Sequence, residues 1–133
     1  TCRPRWSAIA KALGLQAKVM SFASLEFAAG SSDAVFAMNC LLHVPLPDLP
    51  GVLDGVSRVL IPDGLFFWGQ HGGFTHAGPR PEDHYEPKRF FSLLTDEDLR
   101  LIAAQHFAEV GFETVDPGDG HHGHFQALTL RRD

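Results

Sequence analysis

Two apolar runs, Asp33-Ala34-Val35-Phe36-Ala37-Met38 and Leu65-Phe66-Phe67-Trp68, constrain this chain more than any other feature. Neither alternates polar with apolar residues. Continuous apolar runs of this kind suit strands covered on both faces, as in parallel sheets. Parallel neighbours need a long crossover, and the sequence between the runs offers one. Leu49, Val52, Leu53, Val56 and Leu60 recur at helical spacing, with Val59 beside them. Asp48 is placed to cap that helix, and Pro50 fits its first turn. Gly51 and Gly55 weaken it, each by up to about 1 kcal/mol relative to Ala. The expected unit is therefore a strand over Asp33–Met38, a helix over Leu49–Leu60 and a parallel strand over Leu65–Trp68, wound right-handed. Ile61-Pro62-Asp63-Gly64 is the turn into the second strand, with Gly64 able to take positive φ.

The flanking sequence extends this pattern. Trp6, Ile9, Ala10 and Leu13 lie on one helical face, and Gly14 is placed to stop that helix. Leu15–Met20 is a short strand candidate. Residues 69–88, rich in Gly, Pro and His, are expected to be a long loop. Thr95 is placed to cap a helix whose first turn holds Asp96, Glu97 and Asp98, near the positive end of the helix dipole. Its buried face is Leu99, Ile102, Ala103 and Phe107. Strands over Glu109–Val115 and Phe125–Arg131 then form an antiparallel hairpin, with His121, His122 and His124 exposed in its loop. Helices alternating with buried strands predict an α/β layered fold, as a single domain over residues 1–133.

Charge and length narrow the function classes. The net charge of −5 comes with no Lys/Arg cluster larger than a pair, so the chain lacks the basic face that nucleic acid requires. No apolar run approaches the roughly 18 residues of a membrane-spanning helix, and no signal peptide opens the chain. Cys2 and Cys40 show no paired spacing, which makes a reducing cytoplasm the default compartment.

Three stretches together resemble the class I S-adenosylmethionine-dependent methyltransferase family. The first is residues 33–44, Asp-Ala-Val-Phe-Ala-Met-Asn-Cys-Leu-Leu-His-Val, similar to the family's fourth strand and the segment after it. The second is residues 56–66, Val-Ser-Arg-Val-Leu-Ile-Pro-Asp-Gly-Leu-Phe, similar to its helix and fifth strand, with Ile61 and Asp63 replacing the Lys and first Gly of the usual Lys-Pro-Gly-Gly turn. The third is the closing strand-loop-strand. The resemblance implies an α/β Rossmann-like class I methyltransferase fold with a C-terminal antiparallel hairpin. It also implies that the first two strands are missing. No Gly-x-Gly-x-Gly loop precedes the third-strand segment. That loop and the acid that usually holds the cofactor's ribose would lie before Thr1. A fragment or a degenerate member is therefore expected; the absence of an initiating Met at Thr1-Cys2-Arg3-Pro4-Arg5 fits either a fragment or simple Met removal before a small residue. Without the central strand, Val35, Phe36 and Leu65 should be poorly covered.

What the resemblance implies about the site is residue-specific. Ser21 and Phe22 fall where the family contacts the adenine of S-adenosyl-L-methionine, although an Asp is usual at Ser21. Met38 and Asn39 end the fourth strand, where open α/β sheets bind ligands. A cofactor contact from Asn39 competes with simple capping of the next turn. His43 is the best-placed titratable group, because a histidine accepts a proton near neutrality. Packing between Leu42 and Val44 is its plainer role. Tyr85, Phe90 and Phe91 could line an acceptor pocket or simply be core. His71, His76 and His84, and Asp119, His121, His122 and His124, raise metal binding, but their spacing matches no defined zinc motif. The expected activity is methyl transfer to a small-molecule acceptor, largely by positioning. The rivals are a non-catalytic remnant that associates through an exposed sheet edge and a His-rich metal-binding module. Neither nucleic acid nor a membrane is an expected partner.

Overall fold

The computed structural model describes residues 4–133, so Cys2 lies outside the described residues. β1 (Ser32–Met38) and β2 (Leu60–Gly72) are parallel, with Val35 opposite Phe66 and Ala37 opposite Trp68. α2 (Leu49–Val59) crosses between them and buries Leu49, Val52, Leu53, Val56 and Val59. Pro50 sits in its first turn as expected, whereas Asp48, at the cap position, makes no side-chain cap hydrogen bond. The other edge of β2 pairs antiparallel with β6 (His124–Arg131), and β6 pairs antiparallel with β5 (Ala108–Val115), giving the order β1-β2-β6-β5. α3 (Asp96–Ala104) begins at Thr95, whose Oγ1 accepts from the Asp98 backbone N–H at 3.2 Å.

The core lies on one face of this sheet. Phe66, Trp68, Leu128 and Leu130 pack there with Leu53, Leu99, Ala103 and Phe107. The opposite face is open, which corrects the expectation that both faces of the apolar runs are covered. Phe36 is 70% exposed and Leu65 46%, with Phe36 stacked on Phe67 at 4.7 Å between ring centroids. Val35, by contrast, packs against the core. Both runs form strands. What they could not supply was a second helical layer, and α1 (Pro4–Ala12) does not provide one. Its expected buried face stays in solvent, with Trp6 57% and Leu13 76% exposed. Gly14, with φ 84°, ends it as expected.

Three further expectations change. Leu15–Met20 forms no strand and pairs with none among the described residues. The chain that follows it is tied to α2: Arg58 donates to Leu25 O at 2.6 Å and Phe27 O at 2.8 Å, and Gly30 N–H donates to Arg58 O at 2.9 Å. The stretch 69–88 is not all loop. β6 pairs with β2 as far as Gly72, and β3 (His76–Pro79) pairs with β4 (Phe90–Leu93) in a separate small sheet. Residues 61–64, expected as a turn, lie within β2 at a register shift against β1, and there Asp63 rather than Gly64 takes positive φ, at 64°. Gly64 is needed for space: a Cβ there would sit 2.9 Å from Ile61 O and 3.0 Å from Asp33 O.

Substitutions should separate the closed face from the open one. Leu53, fully buried, should cost about 2–5 kcal/mol on Leu53→Ala. Removing the helix cap with Thr95→Ala should cost about 1 kcal/mol. Phe36→Ser should cost the least. Urea unfolding followed by circular dichroism gives the order, and a Phe36→Ser loss equal to that of Leu53→Ala would show that the open face is covered in solution.

Candidate functional site

A cavity of about 1300 Å³ opens at the carboxyl end of β1, between that strand end, the segment 15–27 and the chain around Tyr85–Phe90. It is larger than the roughly 300–1,000 Å³ typical of a site for one small ligand, and it is widely open. Phe22, Asn39 and His43 all line it. Ser21 lines a smaller neighbouring cavity of about 490 Å³, which also shares Phe22 and His43. Met38 lines neither and is 52% exposed on the outer side. The alternation of side chains along β1 turns Met38 away and brings the next residue to the cleft.

Asn39 is held by both strands it joins. Its backbone N–H donates to Gly69 O at 2.8 Å, and its Oδ1 accepts from the His71 N–H at 3.3 Å. Its φ of 51° places it in the left-handed region, which asparagine tolerates better than most residues. The side chain thus has a structural role, and its Nδ2 donors make no hydrogen bond among the described residues. Ser21 Oγ accepts from the Ala23 N–H at 3.1 Å in a local turn. The neighbouring Cys40 thiol also lines the cleft, and burial pushes its pKa up.

His43 is fixed in one tautomer. Its Nδ1 lies 2.9 Å from Phe90 O. A carbonyl only accepts, so Nδ1 carries the proton and Nε2 is left as the basic nitrogen. The Phe91 ring meets the imidazole edge-on at 4.8 Å. Tyr85 and Phe90 line the cleft, while Phe91 acts through His43.

The sequence reading missed the charged frame around these rings. Asp83 has a side chain only 1% exposed and accepts from Arg89 through the backbone N–H at 2.8 Å and through NH2 at 2.7 Å. These bonds hold its carboxyl well below the usual carboxylate range. The Arg89 guanidinium lies 4.2 Å from the Tyr85 ring centroid. An Asp six residues before an Arg in a Pro-rich loop carries no periodic signal, so only the folded loop shows the pair.

The histidines do not gather. Among the described residues no group of three or more His, Cys, Asp or Glu is placed to hold a metal. His124 is not in the exposed loop. It begins β6 and its Nε2 lies 2.7 Å from Asp96 Oδ1. His122 packs on Phe74 at 4.0 Å between centroids. His76 lies 3.2 Å from Gly78 O, and His84 is exposed. Burial and the Arg80 charge lower the pKa of His71.

Residues 4–68 match the family described as a methyltransferase domain. No curated protein matches the sequence. Three solved structures share the fold. The 1,6-didemethyltoxoflavin-N1-methyltransferase of Burkholderia thailandensis, with bound 1,6-didemethyltoxoflavin and S-adenosylhomocysteine, gives a TM-score of 0.76 at 20% identity over 99% of this chain and 58% of that one. An S-adenosylmethionine-dependent methyltransferase of Mesorhizobium loti gives 0.75 at 18% identity over 97% and 76%. A protein of Pyrococcus horikoshii OT3 gives 0.72 at 18% identity over 97% and 66%. The chain thus spans less than two thirds of the Pyrococcus and Burkholderia proteins.

The Asp83–Arg89 pair predicts an acid-resistant cleft wall. Because the folded carboxyl titrates below its unfolded value of about 3.9, its stabilising effect is complete above that value. It is lost only as pH falls toward the lower folded one. Carbon-detected NMR of the Asp83 carboxyl should show no titration between pH 7 and 4. Asp83→Asn should release the Arg89 side chain at neutral pH. A normal Asp83 titration would contradict the pairing.

Proposed function

We propose, from the match of residues 4–68 to the methyltransferase-domain family and from the class I S-adenosylmethionine-dependent methyltransferase fold, that the chain serves methyl transfer from S-adenosyl-L-methionine to a small-molecule acceptor. The observation that carries the reading is the convergence of Phe22, Asn39 and His43 in one cleft at a strand's carboxyl end. The structurally similar Burkholderia protein, with 1,6-didemethyltoxoflavin and S-adenosylhomocysteine bound, supports it.

The chain's residues fit the cofactor in part. Phe22 offers an apolar ring to the adenine, and the Asn39 Nδ2 donors suit its carboxylate end. Neither a glycine-rich loop nor a ribose-binding acid is found among the described residues lining the cleft. The bound cofactor would supply a methyl group already activated on a sulfonium. His43 Nε2 would take the proton that the acceptor's hydroxyl or amine gives up, while Nδ1–H stays on Phe90 O. Holding the acceptor in line supplies most of the remaining rate.

A second reading has its own support. β1 is an edge strand, and Phe36 is exposed beside it. That favours self-association of a non-catalytic chain.

An NMR titration with S-adenosylhomocysteine separates the two. With so few cofactor contacts, binding by the 133-residue chain should be weak, with a Kd of roughly 0.1–1 mM. The shifts should centre on Phe22, Asn39 and His43. The absence of any shift there at millimolar ligand, with a mass that rises with protein concentration, would replace the enzymatic reading with the second one.

A further inference from the structure

The protein is acidic overall, with a net charge of −5. Its large cleft has the opposite character. Lys11, Lys18 and Arg89 line it, and no Asp or Glu does so among the described residues. Neither Lys11 nor Lys18 forms an ion pair among the described residues. Sixteen acidic side chains in the sequence and none in this lining mark a local reversal of sign. A low-dielectric cavity lined by one sign of charge concentrates ligands of the other.

Arg89 gives that charge a shape. Its Nε–H and one NH2 proton are turned to Asp83 at 3.2 and 2.7 Å. NH1 makes no hydrogen bond among the described residues, and the side chain is 42% exposed. The NH1–NH2 edge is therefore a preset two-donor fork, the geometry that matches a carboxylate. The buried Asp83 keeps the fork from swinging away. Tyr85 beneath the guanidinium, and Phe90, whose carbonyl orients His43, present flat apolar surface beside it.

We propose that the Arg89 end of the cleft binds a small aromatic carboxylate as the methyl acceptor, with its carboxylate on the Arg89 fork, its ring against Tyr85 and Phe90, and its hydroxyl or amine toward His43. This rests on the reading of the cleft as a methyl-transfer site, and it adds a substrate class to it.

The test uses three probes of one ring size and no cofactor: 4-hydroxybenzoate, 4-hydroxybenzamide and tyramine, titrated into the isotope-labelled chain and followed by NMR. The acid should bind at least about tenfold more tightly than the neutral amide, with tyramine weakest. Shifts should fall on the Arg89 Nε–H and the Phe90 amide. Arg89→Gln should abolish the preference for the acid, and Arg89→Lys should keep only part of it. Lys11→Gln with Lys18→Gln, both on the surface, should reduce it by a smaller factor. If Arg89→Gln fails to fold, the acid's advantage in the unmodified chain should still shrink as salt rises from 20 to 500 mM, by screening. Equal binding of acid and amide, tighter binding of tyramine, a preference that survives Arg89→Gln, or a salt-independent one would each overturn the proposal. Because no cofactor is present, a failure here leaves the S-adenosylhomocysteine result standing, and a failure there leaves the carboxylate binding standing but removes its role as methyl acceptor.

Discussion

Parallel strands cannot be joined by a tight turn, and everything at the cleft depends on how β1 and β2 meet that constraint. The eleven residues of α2 make the crossover and bury five side chains against the sheet. This sets where β1 ends. At that end Asn39 bonds to Gly69 and His71 on the neighbouring strand. The chain then turns through the short helix Leu41–His43, which buries Leu41 and Leu42 and brings Cys40 and His43 to the cleft. Arg58, near the C-terminal end of the same helix, ties down the segment that carries Phe22. One supersecondary unit thus positions all three cleft residues.

The loop side of the cleft is built by different means. No regular element supports Tyr85 and Arg89. A buried carboxylate does so instead, by accepting several donors from one arginine. A charge this deeply placed is tolerated only when fully paired. The wall therefore stands or falls as a unit, in contrast to the graded packing of the core.

This division decides what was legible in the sequence. The crossover unit was legible because apolar periodicity at Leu49–Val59 reports a buried helix face directly, while the unbroken apolar runs located the two strands but not the open face of the sheet. The Thr95 cap and the closing hairpin were legible for similar local reasons. Leu15–Met20 misled because strand propensity says nothing about whether a neighbouring strand exists. The Trp6–Leu13 stripe misled because an apolar face implies burial only when a partner surface is present. Asn39 was singled out by its place at a strand end, Phe22 by the family resemblance and His43 as a titratable group near that end. Arg89, Asp83 and Arg58 were passed over because their roles are tertiary, with partners that no spacing rule connects. Met38 was one residue too early: pleating sends it to the open face.

The join between β1 and β2 at Asn39 can be read directly by amide hydrogen exchange. In the free chain the Asn39 amide, bonded to Gly69 O, and the His71 amide, bonded to Asn39 Oδ1, should both be protected. Asn39→Ala should expose the His71 amide while Phe66 and Trp68, deep in the sheet, stay protected. Fast exchange at Asn39 and His71 in the unmodified chain, or unchanged protection of His71 in Asn39→Ala, would contradict the placement of the cleft at this strand end.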